Sequence, residues 1–479
     1  MKEAISARRV SQLIGTLPEG PIHAGLTEAL TLLIGDGRIP LAVRLPSERA
    51  LAEALMLSRT TVTRAYATLC DNNYARATQG SGTYTSVPGG RQRAHDRVLV
   101  AGGVGGGIDL SCAADSASSE IVAAYTAALS DLPAYLGGHG YFPSGLSVLQ
   151  EAIAATYQAR GLPTAPEQIV VTPGALTAAS VAVRTLGLRR GHALVESPTY
   201  PNASEMLRAS DMQLHEVALD AGGWDMPSIM DTVKQVRPDV AYLIPDFQNP
   251  TGAVMTTEQR KQLGAYLAVH GTIPIVDETH HALALDGQRM PLPFAAFNPE
   301  TFTLGSMSKV FWGGLRVGWV RAPRAFVARL TKARMSLDLG VPVVEQLVAA
   351  HLLRQGAVSS GHLERLRTQR DALVGAVTTH LPDWRFVLPT GGLALWCELP
   401  HQDATALAAA VAESGVFISP GPIFSPNGGL DAFVRLPWTR PVPELTEAVV
   451  RIASAWRHIE RREHAIVRSS SVHPRVVIA

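Results

Sequence analysis

The chain has 479 residues, more than one compact core normally takes, so two or more domains are expected. The composition is that of a globular protein, and the formal net charge of +1 excludes a global basic field, so any surface that binds nucleic acid must be local. The three cysteines are far apart and lack metal-ligand spacing, which predicts a reduced, cytoplasmic protein without a metal site. The sequence has no apolar run long enough to span a bilayer and no signal-peptide core at its N-terminus.

Three regions and a short tail follow one another along the chain. Residues 11–86 read as short helices followed by a small β element. Residues 87–107 are rich in glycine and arginine, which is typical of a flexible linker. Residues 108–462 alternate helical patterns with short apolar strands, which predicts an α/β domain with a largely parallel sheet. Residues 463–479 show no period and are expected to be loosely held.

The segment LPSERALAEALMLSRTTVTRAYATL in the first region predicts two helices joined by a short turn. Ser47 and Ser58 are placed to cap these helices. A β-hairpin is expected after them, turning at residues 79–82. The second helix should bury one apolar face: Val62, Ala65, Tyr66 and Leu69. This order is the plan of a winged helix-turn-helix domain, and a small helical domain with a solvated polar face is the alternative.

The same segment resembles the signature of the GntR family of transcription regulators, LPS-x-R-x-LA-x-x-L-x-x-SR-x-TV-x-x-AY-x-x-L, almost completely. The resemblance implies that double-stranded DNA is the partner of this region. Hydroxyls, arginines and backbone N–H groups at a helix start can contact phosphates and base edges. The residues expected to face DNA are Ser47, Arg49, Ser58, Arg59, Thr60, Thr61, Arg64, Gly80 and Gly82.

A second set of motifs surrounds Lys309, one of only five lysines in the chain. Pyridoxal 5′-phosphate (PLP) chemistry needs an amine, a carboxylate for the pyridine nitrogen, a phosphate cradle and a flat group against the ring. Lys309 is the candidate amine, and Asp277 at the end of the apolar strand IPIVD is the candidate carboxylate. The alternatives are an exposed lysine without a chemical role and an aspartate that caps a helix.

The remaining requirements are met by residues that follow other predicted strands. TPGALTAAS opens a helix, so the backbone N–H groups of Gly174, Ala175 and Leu176 can bind a phosphate, which Ser306 and Arg316 can also reach. Tyr200 in ESPTYP can stack on a ring, and Asn249 in QNPTG can hydrogen-bond a phenolic oxygen. Each of these residues also has an ordinary structural interpretation, in the core for Tyr200 and in a Pro-Gly turn for Asn249.

The motifs YFPSG, TPGA, ESPTYP, QNPTG, VDE, SMSK and LRVG together resemble the class I and II branch of the fold-type I aminotransferases, over about residues 109–457. The resemblance implies a domain of large and small subdomains that holds PLP as an imine on Lys309, with Asp277 on the pyridinium. It implies that Tyr141 reaches the phosphate across a dimer interface. It also implies that Arg435 clamps the α-carboxylate of an amino acid, for which a structural ion pair is the alternative.

The sequence departs from that family at three places. Leu176 and Gln150 stand where many relatives carry glutamine and arginine, and His280 or His281 stands near the position of a tyrosine. These departures bear on the tuning of the ring and on catalytic competence rather than on cofactor binding.

A GntR-type winged helix, a linker and an aminotransferase-like domain in one chain resemble the MocR subfamily of bacterial transcription regulators. The resemblance implies a homodimer, located on the nucleoid when bound to DNA, that senses an amino compound or PLP itself. The enzymatic expectation is no physiological turnover, with at most a half-reaction. An active aminotransferase that carries a DNA-binding domain and a repressor whose large domain is only a dimerisation scaffold remain the alternatives. The sequence leaves the effector, the operator and the sign of regulation open.

Overall fold

The computed structural model describes residues 4–15, 21–35, 39, 43–78, 81–86, 107–118, 120–188, 190–220, 222–356 and 358–470. The chain forms two compact units, Met1–Gly103 and Val104–Ala479. The predicted linker, except for Gly107, lies outside the described residues.

The described part of the first unit is helical and ends in a hairpin. Its elements are α1 (Ala7–Ile14), α2 (Ile22–Gly35), α3 (Glu48–Leu55), α4 (Arg59–Asp71), β1 (Ala75–Thr78) and β2 (Gly82–Thr85). Helices α3 and α4 begin where the capping residues predict. The Oγ of Ser47 accepts from the N–H of Ala50 at 3.2 Å, and the Oγ of Ser58 accepts from the N–H of Thr61 at 3.1 Å.

The core of the first unit forms on the predicted face of α4. The four predicted residues are buried there, together with Leu26 and Leu30 of α2 and Leu51 of α3. The hydroxyl of Tyr66 donates to the carbonyl of Pro46 at 3.0 Å and so fixes α4 to the segment before α3. The strands β1 and β2 pair antiparallel as the wing. The arrangement is the predicted winged helix-turn-helix.

The second unit contains the remaining elements within its described residues. They are β3 (Ile108–Leu110), α5 (Ile121–Asp131), α6 (Ser147–Ala159), β4 (Ile169–Thr172), α7 (Ala175–Leu186), β5 (His192–Ser197), α8 (Pro201–Ala209), β6 (Gln213–Asp220), β7 (Gly223–Trp224), α9 (Met226–Val236), β8 (Val240–Leu243), α10 (Thr257–His270), β9 (Ile273–Asp277), β10 (Phe302–Ser306), β11 (Gly318–Arg321), α11 (Val327–Met335), α12 (Val343–Arg354), α13 (Ser360–His380), β12 (Arg385–Phe386), β13 (Ala394–Glu398), α14 (Ala404–Glu413), β14 (Val416–Pro420), β15 (Phe433–Pro437) and α15 (Val442–Ser470).

An eight-stranded sheet forms the large subdomain, in the order β4-β11-β10-β9-β8-β5-β6-β7. The strands β10, β9, β8, β5 and β6 are parallel, whereas β11 and β7 run against them. Strand β4 pairs antiparallel with β11 and therefore runs with the parallel set. Strands β4, β8 and β10 are buried along their whole length, as a parallel sheet covered on both faces requires. The carboxyl ends of β4 and of the parallel strands consequently share one edge.

The small subdomain is built on a second sheet, in the order β12-β13-β15-β14-β3. Strand β3 joins it parallel to β14, and the other neighbours are antiparallel. The core of this subdomain includes Leu366 of α13, Leu407 of α14 and Leu436 of β15. The mixed α/β architecture with two subdomains agrees with the predicted fold class.

The last helix extends further than the sequence predicts. Leu445, Val449, Ile452 and Trp456 are buried at helical spacing and hold the first half of α15 on the core. Because adding residues to an existing helix costs far less than starting one, α15 continues to Ser470, into the segment expected to be loosely held. Residues 471–479 lie outside the described part of the chain. Among the described helices, none combines the length and apolar character of a membrane span.

Candidate functional site

The predicted site residues follow the strands that end at the shared edge of the large sheet. Lys309 comes after β10, Asp277 ends β9, Asn249 comes after β8, Tyr200 after β5 and Gly174 after β4. The parallel strands therefore bring together residues that are far apart in sequence.

Lys309 is half-buried, and its Nζ donates to the carbonyl oxygen of Ala113 at 2.8 Å. Burial lowers the pKa of Lys309, and the positive charges of Arg435 and Arg316 act in the same direction, while Asp277 opposes them. A lowered pKa increases the fraction of the unprotonated amine, which is the form that attacks an aldehyde. These surroundings differ from those of an exposed lysine without a chemical role.

Asp277 is buried and held by two hydrogen bonds. Its Oδ2 accepts from the hydroxyl of Tyr242 at 2.8 Å, and its Oδ1 accepts from the N–H of Thr279 at 2.9 Å. The second bond caps a turn, so the capping role that was the alternative for Asp277 is present in part. Burial and then the charge of Asp277 raise the pKa of Tyr242, so the phenol stays protonated and donates.

Tyr242 was missed by sequence reasoning. It lies within the buried strand β8, where a tyrosine is normally interpreted as a residue of the hydrophobic core. The available signal was its hydroxyl, because a buried phenol needs a hydrogen-bond partner and so points to a polar group nearby.

The anion cradle at the start of α7 depends on the absence of a side chain at Gly174. Gly174 has φ +100°, and a Cβ there would lie 2.6 Å from the Nη2 of Arg316. That Nη2 donates to the carbonyl of Pro173 at 2.8 Å. The guanidinium therefore lies beside the free N–H groups of Ala175 and Leu176 in the first turn, and the two features together suit a phosphate.

The hydroxyl of Ser306 bonds to the backbone around the lysine. Its Oγ accepts from the N–H of Ser308 at 3.1 Å and lies 3.4 Å from the carbonyl of Val317, to which it donates. The Oγ of Ser308 is buried without a hydrogen-bond partner among the described residues. Ser308 is thus a further candidate ligand that the sequence did not single out.

Tyr200 and Asn249 lie close to the charged residues of the site. Burial raises the pKa of Tyr200, Asp277 acts in the same direction, and Arg435 and Arg316 oppose it, so all three charges act on this phenol. The Oδ1 of Asn249 accepts from the Nη1 of Arg435 at 3.1 Å. The amide nitrogen of Asn249 is the group left to donate to a phenolic oxygen.

Arg435, on β15, is 7% exposed and stacks over the ring of Phe424 at 4.8 Å. Its Nη2 donates to the carbonyl of Ser111 at 2.5 Å, and its Nε is buried with no partner among the described residues. Burial lowers the pKa of Arg435 to about 10. Its hydrogen bonds in the described part of the chain go to neutral oxygens, and a buried cation held in this way is stabilised by an arriving carboxylate. This environment favours a ligand clamp over a structural ion pair.

The charge of Lys309 acts on the ring of His280, whereas His281 responds to other charges. The Nδ1 of His280 lies 3.1 Å from the carbonyl of Phe247, which assigns the ring proton to Nδ1. Burial, reinforced by Lys309, lowers the pKa of His280 to about 4, so the ring is neutral and its buried, unpartnered Nε2 is an acceptor. His281 bonds the carbonyl of Glu278 at 2.8 Å, and burial followed by the charge of Arg160 lowers its pKa to about 3.

Two residues that were predicted to bind the cofactor have exposed side chains. Tyr141 is 57% exposed and stacks on His139, with the ring centroids 5.7 Å apart. Leu176, in the first turn of α7, is 36% exposed. Only its backbone is expected to contribute to the cradle.

The residues predicted to face DNA lie at the starts of α3 and α4 and in the wing. Arg49, Thr60 and Arg64 are exposed, and Thr61 is half-buried. Arg49 pairs with Glu53 at 3.0 Å, and both side chains are open to solvent. Gly80 lies outside the described residues.

Glu48 and Arg44 are contacts of this surface that the sequence did not indicate. The Nε of Arg59 lies 3.6 Å from Glu48, which also accepts from the hydroxyl of Thr63 at 2.8 Å. A Cβ at Gly82, where φ is +109°, would lie 2.7 Å from the Nε of Arg44. Glycine at this position therefore leaves room for an arginine against the wing.

Comparison with known proteins agrees with both parts of this description. Residues 113–452 match the family "Aminotransferase class I and II", and residues 24–85 match "Bacterial regulatory proteins, gntR family". The chain is 30% identical over 301 residues to 2-aminoadipate transaminase of Thermus thermophilus, covering 60% of this chain and 75% of that protein. It is 27% identical over 418 residues to the uncharacterized HTH-type transcriptional regulator YisV of Bacillus subtilis, covering 78% of this chain and 84% of that protein.

A solved structure shows the same fold for the larger unit. LysN, an α-aminoadipate aminotransferase from Thermus thermophilus complexed with N-(5′-phosphopyridoxyl)-L-leucine, matches with a TM-score of 0.67 at 27% identity. The match covers 74% of this chain and 93% of LysN.

The class I and II aminotransferases depend on PLP, so the predicted cofactor is confirmed at the level of the family. The residues present fit this group. The space at Gly174 beside Arg316 suits its phosphate, and Ser308 and His280 leave buried polar atoms without partners in the described chain. The chain belongs to the class I and II aminotransferase family and carries an N-terminal gntR-family domain, which together make the architecture of the MocR regulators.

Proposed function

We propose that this protein is a cytoplasmic transcription regulator that binds double-stranded DNA through its winged helix. The second unit binds PLP at Lys309 and senses an amino compound or the cofactor itself. The observation that carries the proposal is the half-buried Lys309 with a lowered pKa, surrounded by cofactor-binding groups, in a chain that also has a gntR-family domain. A regulator of this kind is located at the nucleoid when it is bound to DNA.

Each site residue has a role in holding the ligand. The cofactor, when bound, supplies an aldehyde that captures amines and a ring that withdraws electrons. Asp277, oriented by Tyr242, carries the negative charge for the ring nitrogen. Arg316 and the start of α7 hold the phosphate, and Arg435 takes a carboxylate of the effector through its uncommitted Nε.

His280 favours sensing over turnover. Many relatives carry a tyrosine near this position, and a phenol can donate a hydrogen bond. The neutral ring of His280 presents an acceptor at Nε2 instead. A group that cannot donate does not stabilise negative charge on a neighbouring oxygen, so the ring is tuned less for catalysis.

An active aminotransferase is the second candidate, because Lys309, Asp277 and Arg435 are all in place and one relative is named 2-aminoadipate transaminase. A steady-state assay with amino donors and keto acids separates the two. Robust turnover supports the enzyme, whereas a single exchange of the amine without turnover supports the sensor.

A homodimer is part of the proposal. Tyr141 and three apolar residues around α5, Val122, Leu129 and Leu136, are each more than half exposed. A second copy that covers them also lets Tyr141 approach its phosphate. Two winged helices on one dimer contact two half-sites, which raises affinity through effective concentration.

The substitution Lys309→Ala tests the cofactor site. It should abolish the near-ultraviolet and visible absorbance of lysine-bound cofactor, while the exposed Lys332→Ala, on α11, should leave it unchanged. An unchanged band in Lys309→Ala would overturn the assignment. Binding of the wild-type chain to the DNA upstream of its own coding sequence tests the other half of the proposal.

A further inference from the structure

A buried pair of side chains, Glu196 and Gln248, joins the two loops that carry Tyr200 and Asn249. Glu196 lies near the carboxyl end of β5 and is 0% exposed, and Gln248 follows β8 and is 1% exposed. Strands β5 and β8 are neighbours in the large sheet, so the two loops leave it side by side. The Oε2 of Glu196 accepts from the Nε2 of Gln248 at 3.1 Å. We call this pair the bridge.

Gln248 uses its whole amide to connect the two loops. Its Nε2 also donates to the carbonyl of Pro198 at 2.7 Å, two residues before Tyr200. Its Oε1 accepts from the N–H and the hydroxyl of Thr251 at 3.1 and 2.8 Å, two residues after Asn249. The amide atom between two acceptor oxygens must be the nitrogen, and the atom beside a backbone N–H must be the oxygen, so the orientation of the amide is determined. One side chain therefore ties the segment before Tyr200 to the turn after Asn249.

Glu196 in turn holds Gln248 in place. The Oε1 of Glu196 accepts from the Nε1 of Trp224 on β7 at 2.9 Å and from the N–H of Ile244, just after β8, at 3.2 Å. Burial raises the pKa of Glu196 to about 7, its hydrogen bonds oppose the shift, and Asp277 adds to it. The carboxyl is thus within electrostatic reach of the group proposed for the ring nitrogen. A buried carboxyl is costly where an apolar residue would fill the same position in β5, which indicates a role beyond packing.

We propose that Glu196 and Gln248 are positioning residues for the cofactor ring, because their bridge fixes the distance between the two side chains that meet the ring. These are Tyr200 on the face of the ring and Asn249 at its phenolic oxygen. The inference rests on the proposed function of the PLP site. Gln248 acts on both loops, and Glu196 acts through Gln248.

The phosphate cradle is built from other elements than the bridge. The bridge belongs to β5, β7 and β8 and the loops after them, whereas Gly174 and Arg316 lie at the start of α7 and before β11. Loss of the bridge should therefore weaken the binding of PLP and leave the affinity for inorganic phosphate unchanged. A general loss of structure at this edge of the sheet would weaken both.

The substitution Glu196→Gln tests the bridge with a side chain of nearly the same volume. Its oxygen can keep the contacts with Trp224 and Ile244, and its new NH2 group then meets the Nε2 of Gln248, so two donors oppose each other. Asn249 should lose its bond to the ring, and the dissociation constant for PLP, from absorbance titration of the apo full chain, should rise about fivefold. The visible circular dichroism of the lysine-bound cofactor, which depends on the orientation of the ring, should change as well. The inhibition constant of inorganic phosphate against PLP should stay the same.

A second variant and a matched control accompany this substitution. Gln248→Ala removes the bridge altogether and should raise the dissociation constant for PLP further, by about tenfold, so it decides the question if Glu196→Gln does not fold. Gln168→Ala is the control, because Gln168 is also buried and its amide also joins two backbone segments, bonding Ala165 and Ala322 at 3.1 Å each. Gln168 lies just before β4, at the opposite edge of the sheet. The control should lower the melting temperature and leave the PLP affinity and the dichroism unchanged.

The outcomes separate positioning from a purely structural role. Unchanged PLP affinity and dichroism in the two bridge variants overturn the inference. An equal loss of affinity for PLP and for inorganic phosphate also overturns it, and so does the same change of dichroism in Gln168→Ala. The proposed function fails by a different result, the absence of lysine-bound cofactor in the wild-type chain, which also removes the ring that the inference needs.

Discussion

Cofactor affinity should depend strongly on the missing side chain at Gly174. In Gly174→Ala the new methyl would lie 2.6 Å from the Nη2 of Arg316, so the guanidinium must move away from the start of α7. A charge-assisted hydrogen bond contributes about 1.5–3 kcal/mol. Its loss should raise the dissociation constant for PLP by roughly 10- to 150-fold. The backbone, at φ +100° and ψ 169°, adds a strain of about 1–3 kcal/mol to folding.

The assay is a titration of the apo full chain with PLP, followed by absorbance, together with a thermal melt. Gly187→Ala, at the other end of α7, is the matched control. Gly187 also has a positive φ of +69°, but no atom lies within 4 Å of its added Cβ. The control should lower the melting temperature and leave the PLP dissociation constant unchanged. A folded Gly174→Ala that binds PLP within about threefold of the wild type would refute the cradle.

Three further outcomes are expected. Glu196 is fully buried, and burial raises the pKa of its carboxyl from 4.5 to about 7. The contribution of the protonated carboxyl to stability is therefore complete below pH 4.5 and is lost as the pH rises to about 7. The free energy of unfolding should fall by about 3 kcal/mol over this range. Urea denaturation across this range should show that Glu196→Gln flattens the dependence. Tyr242→Phe removes the donor to Asp277 and should weaken PLP binding several-fold and shift the cofactor absorbance, and an unchanged spectrum would count against that role. Arg64→Ala should weaken DNA binding and reduce the slope of log affinity against log salt by about 1, with PLP binding unaffected.

The sequence predicts which residues lie together where this depends only on the direction of the strands. Asp277 ends an apolar strand, and Asn249 and Tyr200 follow two others. Parallel strands bring their carboxyl ends to one edge whatever the details of packing. The helices α3 and α4 were predictable for a similar reason. Capping by Ser47 and Ser58 is a contact between residues three apart, so the sequence contains all the information needed.

The features that were missed depend on contacts between distant residues. The bond from Lys309 to Ala113 spans 196 positions, and that from Arg435 to Ser111 spans 324. Backbone carbonyls carry no sequence signature, so no motif indicates that Ala113 and Ser111 bond these two side chains. The orientation of the Ser306 hydroxyl toward Val317 was equally unpredictable, because a serine before the lysine can turn either to the backbone or to a phosphate.

Sensing makes smaller demands on this site than catalysis does. Turnover needs a cofactor ring whose electronic state is controlled. The neutral His280 offers that ring a hydrogen-bond acceptor, whereas a hydrogen-bond donor would stabilise negative charge on a neighbouring oxygen. A switch needs only a ligand whose affinity differs between two conformations of the protein. Arg435 has a buried Nε with no partner among the described residues, so a carboxylate finds a donor here without the control of the ring that turnover needs.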